Sequence, residues 1–351
     1  MSDLRVSHDE LLRFAAAVFV ANGMAAADAA TVAEVLVWAN ARGVDSHGVV
    51  RIPIYLKEIK QGTYKPTGQP VMHQLLPATF KLACNRAPGP VCMMRAAAHA
   101  VELAEKFGVA TGLVSNPTHV GALGRYAQWI AGRGHAAIVI VAGIPLMAYH
   151  GSSVASIATS PIAIAVPGPD ADSAPLLLDM STSIIPGGRV SQALASGTPL
   201  PEGAAIDAKG RPTTDAKAAK TLLPIGGAKG SGLSLLFECL TGVLAASPIF
   251  TAPPGGSDGV PLRPIQNAMI VAVNVASFRA LPDYRADIGK LEARVKSLPR
   301  QDGVDELLLP GERADRETAR RKRDGIPLPE KLATEFDAIA REFGVPALRR
   351  A

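Results

Sequence analysis

Apolar residues recur at helical spacing through the first sixty positions and at strand spacing through much of the rest. Leu11, Leu12, Phe14, Ala15, Val18 and Phe19 share one face of a 3.6-residue period, the mark of an amphipathic helix. Ser7-His8-Asp9-Glu10 before them is a capping box, and Gly23 ends the run. A second helix is expected over about 27–41, with Val32, Val35, Leu36 and Trp38 apolar and Gly43 breaking it. A third is expected over about 47–61, stopping at Gly62; Pro53 inside it implies a kink or a later start.

From about residue 70 the period shortens. Strands are expected at 71–76 and 79–84, an Ala-rich helix at 93–107, a strand at 110–115, a helix at 123–132 and a buried strand at 136–141. Strands at 162–166 and 176–179 flank a Pro/Gly/Asp loop. A loop-rich stretch begins at 192–197 and runs to Lys220, and 252–259 reads as a Gly/Pro loop. Helices are expected at 233–246, 284–297 and 330–343, and a strand at 266–275. Helical ends around a mixed middle predict an α+β chain: 1–74 packed with 300–351 as one unit, 75–299 as the other.

Composition narrows the class. The 351 residues are 48% hydrophobic and 19% charged but only 5% aromatic, so the core is expected to be aliphatic. A net charge of +5 is small for this length. The basic run 313–323 is interrupted by Asp315 and Glu317, which suits a solvated helix face or a local anion site better than a nucleic-acid footprint. Cys84, Cys92 and Cys239 are odd in number and form no CxxC, so neither a disulfide framework nor a metal site is expected. No signal peptide or membrane span is legible, and a cytoplasmic location is expected by default.

The chemistry concentrates in Asp45-Ser46-His47-Gly48-Val49-Val50-Arg51. An imidazole titrates near neutrality, and a guanidinium forks onto a carboxylate. On a helix His47 and Arg51 would be i and i+4 and share a face. The same letters also suit a helix start capped by Asp45 or Ser46, with a surface His and Arg. Gly132-Arg133-Gly134-His135-Ala136-Ala137 fits GxGxxA in letters, but a helix precedes it and a strand follows, the reverse of a dinucleotide loop. The glycine-rich run 226–232, carrying Lys229, opens a helix and suits either a phosphate cradle or a tight turn with a surface lysine. His119 lies in a strand-to-helix turn, Asp179-Met180-Ser181 at a strand end, and Pro310-Gly311-Glu312-Arg313 in a turn; each is a ligand-facing group or an ordinary loop.

In register, these segments resemble one family. Gly43-Val44-Asp45-Ser46-His47-Gly48 with Arg51 resembles the N-terminal signature of the type 2 malate/L-lactate dehydrogenases. That family includes ureidoglycolate and sulfolactate dehydrogenases and Δ1-piperideine-2-carboxylate reductases. His119-Val120-Gly121, Thr159-Ser160-Pro161, Leu178 to Ser183, Leu223 to Gly230 and Leu309 to Arg313 follow in the family's order.

The resemblance implies a non-Rossmann nicotinamide-binding domain on a mostly antiparallel sheet over 75–299, and a homodimer, with 1–74 and 300–351 as the substrate-side and dimerisation unit. It implies His47 as proton donor with Ser46 as relay, Arg51 as carboxylate clamp, and Thr159 as a substrate contact. His119 is implied as general base or as cofactor contact. Gly121, Asp179, Met180, Ser181, Lys229, Gly311, Glu312 and Arg313 are implied at the cofactor. The reaction implied is hydride transfer at C2 of a small 2-oxo/2-hydroxy acid, or reduction of a cyclic imino acid. The cofactor would be NAD or NADP, leaning to NADP if Arg313 and 320–323 meet a 2′-phosphate, although an exposed helix face explains those residues equally. Ala228, Gly187, Pro117-Thr118 and Val120 depart from the common pattern, and the trimmed side chains among them imply a roomier pocket than lactate requires.

Overall fold

The computed structural model describes residues 4–247 and 266–349; the loop expected at 252–259 lies outside them. The chain is mixed α+β. Its main sheet has seven strands, in the spatial order Val71–Leu76, Thr79–Ala83, Val109–Ser115, Asn267–Asn274, His135–Ala142, Ile162–Val166, Leu176–Met180. Only Thr79–Ala83 and Val109–Ser115 run parallel; the other neighbours are antiparallel. This is not the parallel, doubly wound sheet of a Rossmann domain. Gly132 to Gly134 close a helix and lead into a strand, with Gly134 at φ +81°, so that run is a turn, as its context predicts.

One face of the sheet is covered by the helices Gly89–Phe107 and Gly124–Ala131. Ala96, Ala100 and Ala104 recur every four residues on the first helix and are fully buried, so its backbone can approach Ala110, Ala268 and Ala272 closely. Gly112 serves the same packing: a Cβ there would overlap the Phe80 ring.

A second apolar cluster joins the two chain ends. Leu11, Phe14, Phe19 and Leu36 pack with Phe336 and Ile339, and the Phe14 and Phe336 rings stand 5.0 Å apart. Half of the capping box forms: Ser7 Oγ accepts the Glu10 N–H at 3.2 Å, while the Glu10 carboxylate turns to Arg13 and the Arg349 N–H instead of back to Ser7. The chain ends are further tied by a two-stranded ladder, Leu4–Val6 with Ile326–Leu328, which the sequence pattern did not show. A third cluster lies around Met147, Leu200 and Leu222, under a five-stranded sheet of very short strands.

Several expectations need correction. No α-helix starts at His47. Asp45–His47 and Val49–Arg51 are separate 3₁₀ turns, and the α-helix is Ile52–Lys60 with Pro53 in its first turn. Proline lacks an N–H and fits only there. Gly187–Ser196 is a helix rather than the start of a loop; Gly197 caps it at φ +68°. The helix expected at 233–246 begins at Ala228, inside the glycine run, and continues into a π-helical turn, Cys239–Val243. The basic run forms the helix Glu312–Asp324.

Candidate functional site

The Asp45–Arg51 segment takes its shape from buried polar partners. Asn40, at the end of the helix Ala26–Ala41, donates from Nδ2 to Asp45 Oδ1 at 2.7 Å and accepts the Val49 N–H at 2.7 Å. A Cβ on Gly48 would overlap the Asn40 amide, so glycine is required there. Arg321, buried on the helix Glu312–Asp324, donates to both Asp45 carboxylate oxygens at 2.6 and 3.1 Å and to the Asn40 carbonyl at 2.7 Å; Glu317 pairs with its Nε. A buried guanidinium is tolerated only when its donors are satisfied, and here they converge on one turn of chain.

That turn presents three groups to one cavity. Ser46 Oγ lies 3.0 Å from His47 Nδ1. Arg51 Nε donates to the Ser46 carbonyl at 2.7 Å, which fixes the guanidinium plane. The His47 ring is 5.6 Å from that of His119. Burial, then the nearby Arg51 charge, pushes His47 down to about 4, so the imidazole is neutral at pH 7. Burial, then Arg51 and His47, holds His119 well below the usual histidine range. His119 is carried by the loop after the strand Val109–Ser115. Gly89 lies so close to the Thr118 and His119 carbonyls that it has no room for a Cβ.

Across the cavity stand the ends of the sheet. The Thr159 carbonyl accepts both the N–H and the hydroxyl of Thr182 at 2.9 Å. Asp179 Oδ2 accepts the Gly124 N–H at 2.8 Å. The Asp179 side chain reaches water through the cavity but is walled by protein. That desolvation pushes its carboxyl up to about 6, against the Gly124 N–H and Arg42. Gly311, at φ +93°, packs on the Leu177 main chain and opens the helix that carries Arg313.

The cavity measures about 1070 Å³, at the top of the roughly 300–1,000 Å³ range of ligand pockets. Ser46, His47, Arg51, His119 and Gly121 line it from one side, and Thr159, Asp179, Met180, Ser181, Gly311 and Arg313 from the other. Lys229 and Glu312 are not in the lining. Lys229 is exposed on the first turn of its helix, and Glu312 pairs with Lys296 and Arg316 and caps the Leu309 N–H. Trp38, Arg42, Lys220 and Gln266 line the cavity without having been singled out. Arg42 stands just ahead of the Gly43-led signature, a hint within reach; Lys220 sits in a stretch without any motif. Of the trimmed positions, Val120 and Gly187 line the cavity and Pro117, Thr118 and Ala228 do not. Among the described residues no helix is long and apolar enough to cross a membrane.

An imidazole and a guanidinium from one short segment face a single cavity, an arrangement able to exchange a proton beside a bound carboxylate. The chain belongs to the malate/L-lactate dehydrogenase family, whose profile matches residues 6–337, and it is an oxidoreductase. It is 31% identical over 325 residues to the L-sulfolactate dehydrogenase of Methanocaldococcus jannaschii, covering 92% of each chain. The malate dehydrogenase of Entamoeba histolytica superposes with a TM-score of 0.93 at 25% identity, over 98% of this chain and 99% of that one. The Δ1-piperideine-2-carboxylate reductase of Pseudomonas syringae superposes at 0.83 and 25% identity, over 96% and 99%.

Proposed function

We propose that the protein oxidises or reduces a small 2-hydroxy/2-oxo acid at C2 with a nicotinamide cofactor. The observation that carries this is the joint presentation of His47 and Arg51 to one cavity that also holds Asp179. The residues fit such a cofactor. Asp179 suits ribose hydroxyls, while Arg313 and the helix start at Gly311 suit phosphates, with Arg42 bracing that helix start through Asp315 and the Gly311 carbonyl. When bound, the cofactor supplies or receives the hydride. Arg51, held flat by Ser46, binds the substrate carboxylate. His47 gives a proton to the C2 oxygen in reduction and takes it in oxidation. Burial is the larger cause of the low His47 pKa and the Arg51 charge the smaller; a carboxylate on Arg51 cancels the second and so favours the protonated form. Thr159 is a further substrate contact in this reading, and Gly121, Met180 and Ser181 attend the cofactor.

The second reading is reduction of a cyclic imino acid, which uses the same clamp. The small lining residues Val120 and Gly187 and the likeness to the piperideine-carboxylate reductase favour it. In either case the joined chain ends form the substrate-side unit and the main sheet, which begins at Val71 and not at 75, is the base of the cofactor-side unit. The assembly we infer is a homodimer, and the exposed stripe Leu233, Leu236, Leu240 and Leu244 offers an apolar face for it. NADP is preferred if Arg313 meets a 2′-phosphate. Steady-state rates with pyruvate, oxaloacetate, sulfopyruvate and Δ1-piperideine-2-carboxylate, each with NADH and NADPH, test the proposal. At least one pair must turn over; no cofactor consumption with any of them would overturn it.

A further inference from the structure

Two imidazoles share the cavity, and their Nδ1 partners differ in kind. His47 Nδ1 meets the Ser46 hydroxyl, which donates or accepts as required. His47 can therefore gain or lose a proton and keep that bond. His119 Nδ1 meets two groups, the Tyr55 hydroxyl at 2.7 Å and the Gly121 main-chain N–H at 3.3 Å. An amide N–H only donates. A proton on His119 Nδ1 would set N–H against N–H.

Deepening the reading above, on which it rests for the substrate, we infer that Tyr55 and the Gly121 amide hold His119 as the neutral Nε2–H tautomer. His119 then gives the cavity a hydrogen bond, and His47 alone exchanges a proton with substrate. Tyr55 is the positioning residue. It lies one helical turn beyond Arg51, is fully buried, and is wedged between Phe19 and Tyr64, with ring centroids 6.2 and 5.3 Å away. Burial holds its phenol well above the usual tyrosine range, so it stays a neutral hydroxyl, and with the Gly121 amide fixing Nδ1 as the acceptor it donates there. The second donor is equally fixed. Gly121 sits at φ +73°, and a Cβ there would press on Val35, so its amide direction is built into the loop. The charged and titratable groups that act on His119 are Arg51 and His47, and neither stabilises an imidazolium. In reduction, hydride and the His47 proton together turn C=O into CH–OH; the His119 N–H bond is kept on both sides of that step.

The test is the ¹⁵N spectrum of the histidine side chains in the free protein at pH 7, with His119 assigned by its loss in His119→Gln. We expect a pyrrole-type nitrogen at Nε2 and a pyridine-type nitrogen at Nδ1. The opposite tautomer or an imidazolium would overturn the inference. No substrate is present, so this readout stands apart from the dehydrogenase reading. Tyr55→Phe leaves the Gly121 amide as the remaining donor and should keep the Nε2–H tautomer while shifting the Nδ1 resonance downfield as its shorter hydrogen bond is lost; an unchanged spectrum would remove Tyr55 from the role. Should that variant not fold, the wild-type spectrum still decides. In turnover, His119→Gln, which keeps an N–H donor, should hold kcat above about a tenth of wild type. His119→Glu, an acceptor only, should lose roughly 10²–10⁴-fold, the scale of a lost acid–base group. Equal losses would count against a donor role.

Discussion

The two walls of the cavity are held by different forces. The Ser46–Arg51 wall rests on side chains: Asn40, Asp45 and Arg321, the last of them contributed from 276 residues further along the chain. The Thr159–Ser181 wall rests on main chain, with strand ladders from Ile162 to Met180 and the Thr182 N–H on the Thr159 carbonyl. A wall built on side-chain bonds can be dismantled by one substitution. A wall built on backbone ladders tolerates most of them, because a substitution leaves the main-chain donors and acceptors in place.

The sharpest way to break this contrast is Arg321→Ala. It leaves the partly exposed Asp45 carboxylate with Asn40 as its remaining partner and should cost roughly 1–3 kcal/mol of stability. It should also lower kcat as the Ser46-His47 turn loosens. Urea unfolding and steady-state kinetics check it; a variant as stable and active as wild type would erase the distinction. Next in size is Arg51→Ala, which removes charge-assisted bonds worth roughly 1.5–3 kcal/mol. The expected result is a rise in KM for carboxylate substrates by about 10- to 100-fold, with cofactor affinity measured by fluorescence unchanged.

The smallest effect belongs to the other wall. Asp179 has a folded-state pKa raised to about 6. A raised carboxyl pKa favours the folded state below the unfolded value, and that advantage is lost as pH rises through about 6. Asp179→Asn keeps an acceptor for the Gly124 N–H and removes the charge. Its melting temperature should exceed wild type by roughly 1–3 °C at pH 8 and match it near pH 4. Its cofactor affinity should fall. A lower melting temperature at pH 8 would show that the charge is stabilising there.

What could be read from the chain follows the same division. The Ser7 cap, the Ala-rich helix expected at 93–107 and the apolar strand expected at 136–141 are local patterns; each formed, the helix starting one turn early at Gly89. The helix Gly187–Ser196 was not legible because it opens on two glycines and buries little of itself. The two-residue strands near Ala205 and Thr221 exist only through their distant partners. At the site, Ser46, His47 and Arg51 were legible as chemistry but not as conformation. Their 3₁₀ turns are dictated by Asn40 and Arg321, which no nearby motif marks. Tyr55 escaped notice because its meaning depends on His119, 64 residues away.

The most direct measurement follows the label from a C4-deuterated nicotinamide cofactor, using the substrate that the rate panel selects. One deuterium should appear at C2 of the product acid. His47→Ala should give the same labelled product roughly 10²- to 10⁴-fold more slowly. A product with no deuterium at C2, or a His47→Ala enzyme as fast as wild type, would contradict hydride transfer beside an Arg51-held carboxylate with His47 as its acid and base.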